Sequence, residues 1–441
     1  MRQSQGGDYV ADPAVEAYVQ EVGQRLAAVS DRPLPYEFNV INNSVPNAWA
    51  LPGGKISINR GLLTELKSEA ELAAVLGHEI VHAAAKHGAQ GMQRGLLLQG
   101  AVVGTAIATQ GEDYANLARM GASVGAQLIN TRYGRDAERE SDHYGMRYMA
   151  KAGYDPRGAV ELQQTFVEMA EGKQQNWLQG LFSSHPASRE RVENNRQMAA
   201  QLPRGGEVGK QRFQQVMARL QATKPAYEQY AKAQKALKDG DQQRARTLIG
   251  QAIELEPKEG HFHSLLGDIA FDEKLYEGAR GHYDKAITLN EAFFYYHLRR
   301  GLVHEKLHNR AAAKADLQRS NQLLPTADAY NGLGNLARVE GDLVSAKEYY
   351  ASAAQQQGGA GSQAFASLVE LDLPENPQNY LKIRNISDAL GRWYIEVSNP
   401  TPVAVSQLLL RVEYPDALGQ VRSSKRRLKG TIPAGEKRRL N

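Results

Sequence analysis

The sequence predicts a multidomain, mainly α-helical protein that ends in a small β-domain. Three observations lead to this prediction. Apolar residues recur at helical spacing through the first 200 residues, a 34-residue repeat runs from about 226 to 357, and a period-two pattern follows residue 363. A chain of 441 residues has room for about three domains of ordinary size, which we place at 1–205, 206–357 and 363–441.

The composition excludes several classes of function. With 53 Lys+Arg and 49 Asp+Glu, the net charge of +4 gives no indication of nucleic-acid binding. The absence of cysteine excludes disulfides and thiolate ligands, so a transition metal would need His and carboxylate ligands. The longest apolar stretch, Leu96 to Ala108, is shorter than the ~18–20 residues of a spanning helix, so we predict no transmembrane segment.

The elements of the first domain follow from spacing and capping. Ser68 and Glu71 form a capping box, so a helix begins there and continues through His82. The Pro-Gly-Gly turn at 52–54 separates two short strands. In chain order the predicted elements are a helix over 13–30, a strand over 36–41, two strands within 47–60, the capped helix from 68, a helix over 136–151 and further helix to about 201.

The capped helix carries the motif His78-Glu79-Ile80-Val81-His82. Four residues advance an α-helix by about 400°, so both imidazoles lie on one face, about one turn apart, as a shared zinc ion requires. Glu79 lies about 100° further round, where it can accept a proton from a water molecule at the open position of the metal. We therefore predict a zinc site on this helix.

Catalytic zinc takes three protein ligands and a water, so a third ligand must exist. The metzincin class needs glycine at position 85 and histidine at position 88, but the chain has Ala85 and Gly88, which excludes it. His87 lies nine residues after His78, about 180° round an ideal helix, so we expect a surface or packing role for it.

The second helix offers a better third ligand. Glu138 and Asp142 are four residues apart and share one helix face. Glu138 would bind the metal, and Asp142 would accept a hydrogen bond from a ligand histidine. The alternative is a solvated charged face, which the neighbouring zinc motif makes the weaker interpretation.

A repeat of 34 residues begins near residue 226. Small residues that recur at this interval mark points where paired helices cross closely. The pairs at this spacing are Ala245 with Ala279, Ala252 with Ala286, Gly267 with Gly301 and Ala279 with Ala313. This pattern resembles the tetratricopeptide (TPR) repeat, in about four copies up to residue 357, and predicts an α-solenoid.

The last part of the chain changes pattern. Residues 355–362, Gln-Gln-Gln-Gly-Gly-Ala-Gly-Ser, are typical of a flexible linker. Beyond them come short stretches of alternating or apolar residues, separated by Asn-Pro-Thr and by the turn Asp416 to Gly419. We predict a small β-sandwich for 363–441.

Several ordered motifs in the first 200 residues resemble one family, the HtpX/CAAX-protease class of zinc metallopeptidases, and within it the BepA-like branch that carries TPR repeats. The motifs are Asn47-Ala-Trp-Ala-Leu-Pro-Gly-Gly54, the HExxH at 78–82, Glu138 and Asp142 followed by Gly145, Gly153-Tyr-Asp-Pro156, and Ser184-His185-Pro186 with a following Arg. The resemblance implies a mostly helical zincin-type α+β core with a short sheet. The β-domain is not part of the BepA-like pattern.

By this resemblance His78, His82 and Glu138 bind one Zn²⁺ per chain, Glu79 is the general base and Asp142 hydrogen-bonds a ligand. The resemblance also gives roles, each with an alternative, to two further regions. The strand after Gly54, with Lys55, Ile56 and Ser57, would border the cleft and pair with an extended substrate, or form an internal hairpin. His185 would approach the metal, as a fourth ligand that holds the enzyme latent or as an oxyanion donor, or be structural. Tyr133 and Arg189 are weaker candidates for transition-state hydrogen bonds.

Together these features predict a zinc endopeptidase that hydrolyses unfolded or misassembled envelope proteins, in protein quality control. The TPR array would recruit protein substrates or an envelope-assembly partner. We expect a periplasmic location, with a signal peptide missing from the given sequence, and a cytoplasmic location as the alternative, because Met1-Arg-Gln-Ser-Gln has no apolar leader. The alternative function is a TPR scaffold or chaperone with a latent or structural zinc site.

Overall fold

The computed structural model describes residues 1–88, 90, 133–171, 185–356, 358–387, 393–415, 418 and 420–440. The chain divides into two compact units, residues 1–296 and 297–441. Most described residues are helical, which confirms the mainly α, multidomain fold class. The apolar stretch from Leu96 to Ala108, the position of Ser184, and the turn residues Asp416 and Gly419 lie outside the described residues.

The first unit begins with a helix packed on a three-stranded sheet. Asp12 caps helix α1 (Pro13–Ala27), whose apolar face covers strand β1 (Glu37–Ile41). Strands β2 (Ala48–Leu51) and β3 (Lys55–Asn59) form the hairpin predicted around the Pro-Gly-Gly turn. Strand β3 lies in the centre, parallel to β1 and antiparallel to β2.

This topology corrects the prediction that Lys55, Ile56 and Ser57 pair with substrate. Both edges of β3 are already hydrogen-bonded, to β1 and to β2, and Ile56 and Ser57 are buried. The internal-hairpin alternative is therefore the correct one. Sequence could not show it, because the β1–β3 pairing joins segments that are not adjacent in the chain.

Two helices cross at a pair of glycines beside the zinc motif. The short helix α2 (Arg60–Leu63) precedes α3 (Glu69–Ala85), where the Ser68 hydroxyl accepts a hydrogen bond from Glu71 N at 3.2 Å, as the capping box predicts. A Cβ atom on Gly145, in α4 (Arg135–Lys151), would lie 3.0 Å from the backbone N of His78. The two backbones therefore touch one residue from the first zinc-motif histidine.

Two more helices complete the surroundings of α3. Helix α5 (Arg157–Glu171) packs on α3, and α6 (Arg189–Gln201) packs on α4 and α5. The buried residues of this region belong to one hydrophobic core that continues to Ile269.

Paired helices follow, as the 34-residue repeat predicts. In the first unit these are α7 (Lys210–Lys238), α8 (Gln242–Leu255), α9 (Gly260–Asp272) and α10 (Tyr276–Leu289). The small residues stand at crossings: Gly267 packs against the ring of Tyr283, and in the second unit Gly334 packs against Tyr350 in the same way. Helix α11 (Phe294–Lys306) begins at the end of the first unit, and α12 (Arg310–Leu323), α13 (Ala327–Glu340) and α14 (Leu343–Ala354) lie in the second.

The prediction of a linker over 355–362 is wrong for its second half. Residues Gly359–Asp372 form a further helix, α15, which packs against α13 and α14, so the glycines of 358–361 begin a helix instead of joining domains. Residues 363–372 are therefore helical and not part of the strands. The division into domains at 1–205, 206–357 and 363–441 otherwise stays a prediction.

Small antiparallel sheets occupy the end of the chain. Strands β4 (Lys382–Ser387), β5 (Trp393–Ser398) and β10 (Lys437–Leu440) form one sheet, with β5 in the centre. Two ribbons pair β6 (Val405–Ser406) with β9 (Thr431–Ile432), and β7 (Leu409–Pro415) with β8 (Val421–Arg427). Their shared core is small. Within the described residues we find no helix whose length and apolar content would let it traverse a bilayer.

The glycine crossing gives a first prediction. We expect Gly145→Ala to lower the free energy of unfolding by about 1–3 kcal/mol, because its Cβ meets backbone atoms that cannot move aside independently. Gly250→Ala is the matched control, since Gly250 is also helical but has open space around it, and there alanine should be neutral or stabilising by up to about 1 kcal/mol. Urea denaturation of both variants checks this. Equal stabilities for the two would contradict a tight crossing.

Candidate metal centre

The two histidines of the motif face each other on helix α3. Their Nε2 atoms lie 3.0 Å apart, as expected for residues four apart on one helix face. His82 is buried and His78 is partly buried. Each ring uses its other nitrogen elsewhere, which leaves both Nε2 atoms directed at one point.

Helix α4 brings two carboxylates to this point. Glu138 Oε1 lies 3.3 Å from His82 Nε2, and Glu138 Oε2 lies 3.6 Å from His78 Nε2. Asp142 Oδ1 lies 2.9 Å from His78 Nδ1, on the far side of that ring. The charged-face alternative for this helix is therefore wrong for these two residues, because both are turned towards α3.

His185 joins the same cluster from outside the two helices. Its Nδ1 is 3.0 Å from Glu138 Oε1 and 3.3 Å from His78 Nε2, and its Nε2 is 3.5 Å from Glu79 Oε1. The ring is 5% exposed. His185 thus lies against both a predicted ligand and the predicted base.

The arrangement fits a zinc ion. Zinc–nitrogen bonds of about 2.0–2.1 Å with tetrahedral angles place ligand atoms roughly 3.3 Å apart. Ligand atoms of His78, His82, Glu138 and His185 all lie within 4.8 Å of one another. Glu79 Oε2 and His185 Nε2 are buried without a hydrogen-bond partner, and such atoms are rare unless something else binds there.

The charges of the cluster are strongly coupled. Burial lowers the pKa of His78, but Glu138 and Asp142 outweigh burial and raise that pKa to about 10. Burial would raise the pKa of Glu138, yet His185 and His78 hold it well below its usual value. Burial raises the pKa of Glu79 and lowers that of His82. Glu138 is therefore stabilised in its ionised form by the histidines beside it, whereas burial favours the protonated form of Glu79.

Arg191 is a buried cation that the sequence did not single out. Its guanidinium donates to both oxygens of Asp142, at 2.8 and 2.7 Å, and Nη1 lies 2.8 Å from Glu138 Oε2. Arg189, the arginine proposed as a transition-state donor, is exposed and pairs with Glu171, so that proposal is wrong. Tyr133 does lie at the site, with its ring stacked 3.9 Å from that of His82.

The position of His87 also differs from the one expected from the sequence. Its Nδ1 lies 3.0 Å from His82 Nδ1, and its Nε2 lies 3.5 Å from Glu140 Oε2. The expectation that it points away assumed a continuous helix. Helix α3 instead ends at Ala85, and Lys86 takes a left-handed conformation with φ of 59°, which turns His87 back towards the site.

An apolar pocket opens beside His78 and Glu79. Strand β2 contributes Ala48, and Asp142, His185 and Arg191 form its polar part. The apolar lining comes from Leu62, Val75, Met146, Met149, Leu162 and Phe166. An apolar pocket with a few convergent polar groups is the usual form of a binding or active site.

Known proteins share the first part of the chain. Residues 13–199 match the model of peptidase family M48, and residues 230–292 match a tetratricopeptide repeat model. A Vibrio cholerae protein named "Putative beta-barrel assembly-enhancing protease" is 30% identical over 203 residues, which is 44% of this chain and 41% of that protein.

Two shorter relatives match the same kind of segment. The mitochondrial metalloendopeptidase OMA1 of Schizosaccharomyces pombe is 33% identical over 178 residues, covering 40% of this chain and 50% of that protein. The metalloprotease YcaL of Escherichia coli is 27% identical over 184 residues, covering 40% of this chain and 70% of that protein. The match to the first of these three relatives spans less than half of that relative's length.

The ligand set predicts a change in metal content. Protein purified without added metal should contain about one zinc ion per chain, and Glu138→Ala should lose most of it, because the variant removes one of the three predicted ligands and the only anionic one among them. Asp136→Ala is the control, since Asp136 lies on the same helix but is fully exposed. Elemental analysis measures both. Full zinc content in Glu138→Ala would exclude Glu138 as a ligand.

The contact between His87 and His82 predicts a smaller effect on zinc binding. If His82 binds zinc through Nε2, its Nδ1–H donates to His87, so His87→Ala should weaken zinc binding roughly 10- to 100-fold. His143→Ala is the control, because His143 is exposed on α4 beside Asp142. Competition with a chelator gives the affinities. An unchanged affinity in His87→Ala would show that the contact does not orient the ligand.

Proposed function

Because residues 13–199 match the model of peptidase family M48 and residues 230–292 match a tetratricopeptide repeat model, we propose that the protein is a zinc-dependent endopeptidase. The observation that carries the proposal is the convergence of His78, His82 and Glu138 on one point, with Glu79 beside it. The unpaired oxygen of Glu79 distinguishes this arrangement from a structural zinc site, which needs no base.

Bound zinc would polarise the scissile carbonyl and make an attacking water more acidic. Glu79 accepts the proton of that water and passes it to the leaving amine. Its burial favours this role, since a carboxylate with a raised pKa accepts and releases a proton near neutral pH more readily. Asp142, fixed by Arg191, holds the His78 ring in place through Nδ1.

The position of His185 supports the proposal of a latent form of the enzyme. Its Nδ1 lies within 3.3 Å of both Glu138 and His78, which is the place of a fourth ligand. In that position it would exclude the attacking water, and its withdrawal would open the site. An oxyanion role is the alternative, and it would require the ring to turn from Glu138 to the substrate.

Strand β2 is the better candidate for substrate pairing. It is the edge of the sheet nearest the site, and Ala48 lines the same pocket as His78 and Glu79. Asn59 N donates to Asn47 O, so by the alternation of an antiparallel ladder the backbone groups of Ala48 and Ala50 point away from β3. An extended peptide could add there as a fourth strand.

Such backbone pairing suits unfolded chains, so we propose unfolded or misassembled proteins as substrates. The TPR helices would recruit them or an assembly partner. The Vibrio cholerae relative carries the name beta-barrel assembly-enhancing protease, which supports an envelope substrate and a periplasmic location for this protein. A cytoplasmic location is the alternative.

A second candidate is a TPR scaffold or chaperone whose zinc site is closed. The place of His185 favours it, because a permanent fourth ligand would leave no position for water. The two candidates differ in whether cleavage depends on Glu79.

We expect Glu79→Gln to keep its zinc and to lose cleavage of an unfolded protein, such as denatured casein, at least about 100-fold. Glu168→Gln is the control, because Glu168 is exposed on α5 and should behave as wild type. Gel-based cleavage assays and zinc analysis on the same samples check this. Zinc-loaded wild type without any cleavage would favour the scaffold, and equal cleavage by Glu79→Gln would remove Glu79 as the base.

A further inference from the structure

The charge of the chain is concentrated at its end. Residues 382–441 contain twelve Lys and Arg against five Asp and Glu, an excess of seven, whereas the whole chain has an excess of only four. The rest of the chain is therefore slightly acidic. Neither family match extends beyond residue 292, so this basic segment lies outside what the relatives explain.

The β7–β8 ribbon carries five of these cations, three of them on one face together with Glu413, and two, Arg422 and Arg426, on the other. The register places Arg411 opposite Lys425 and Leu409 opposite Arg427. Because side chains alternate along a strand, all four lie on the same side of the ribbon. We call this side the basic face.

The basic face is turned to solvent. Leu410 and Val412, on the other side of the ribbon, are half-buried, and Leu410 packs against the small core around Leu408 and Leu428. Leu409 is 57% exposed. Lys425 and Arg427 are exposed, and within the described part of the chain neither has a carboxylate partner. Arg411 pairs with Glu413 of its own strand.

Protection of a sheet edge does not account for this pattern. Charged residues on an edge strand prevent aggregation, and single lysines suffice for that. Arg411 and Lys425, however, are like charges directly across the ribbon, an unfavourable placement in water that the pairing of Arg411 with Glu413 offsets only in part. A bound anionic surface would turn this repulsion into a favourable interaction.

The apolar residues on the basic face indicate which kind of anionic surface it binds. Leu409 and Val421, which is 74% exposed, stand at opposite ends of the basic face. The phosphate backbone of nucleic acid contacts the cations but offers no partner for such aliphatic side chains, whereas the headgroup region of a bilayer accepts both. We propose that the basic face binds the surface of membranes that contain anionic lipids.

Vesicle binding tests the proposal on the full chain. Wild type should co-sediment with vesicles of phosphatidylcholine containing about 30 mol% phosphatidylglycerol, not with phosphatidylcholine alone, and should be released by high salt. The double variant Lys425→Glu with Arg427→Glu should bind at least about tenfold more weakly. The control, Lys232→Glu with Lys258→Glu, makes the same charge change at exposed residues of the first unit and should bind within about twofold of wild type.

A third variant distinguishes binding to a bilayer from binding to other polyanions. Leu409→Ser keeps every charge, so it should weaken vesicle binding several-fold and leave any binding to a short DNA duplex unchanged. Equal binding to neutral and anionic vesicles, or wild-type binding by the double variant, would overturn the proposal. Tighter binding to the duplex than to anionic vesicles, unaffected by Leu409→Ser, would assign the face to nucleic acid instead. Thermal melting verifies that each variant is folded.

Discussion

The candidate site depends on the close crossing of α3 and α4 at Gly77 and Gly145. A Cβ atom on Gly77 would lie 3.1 Å from the carbonyl oxygen of Gly145, so the backbones are in contact there. This approach puts Glu138 and Asp142 of one helix within hydrogen-bonding range of His78 and His82 of the other. The cluster of candidate metal ligands is thus a consequence of helix packing, and the sheet and the repeat helices up to α9 share the same hydrophobic core.

Charge balance is the second constraint. Glu79 and Glu138 are buried, Asp142 is partly buried beside them, and buried carboxylates must be paired or bind a metal. Arg191 neutralises part of this charge through Asp142 and Glu138, and the same two carboxylates favour a proton on His78 by raising its pKa. A divalent cation could take the place of that proton. The charges that hold these side chains in place therefore also favour the binding of a zinc ion.

Local spacing predicted most of the candidate site, and longer-range geometry explains what it missed. The i, i+4 pairs on two helices indicated His78, His82, Glu138 and Asp142, and the structure brings them together. His87 was misplaced because one left-handed residue, Lys86, ends the helix. Which arginine after His185 turns inward depends on the phase of α6, which sequence alone leaves open. The central place of β3 and the helix at 359–372 likewise follow from tertiary contacts, which override local composition.

A crystal structure with anomalous diffraction at the zinc edge is the most direct test of the central claim. The account predicts one zinc peak per chain, bound by Nε2 of His78, Nε2 of His82 and a carboxylate oxygen of Glu138, with Glu79 facing the remaining side. The distance of His185 from that peak would also decide between the latent and open forms. A peak elsewhere in the chain, or none after zinc is added, would contradict the account.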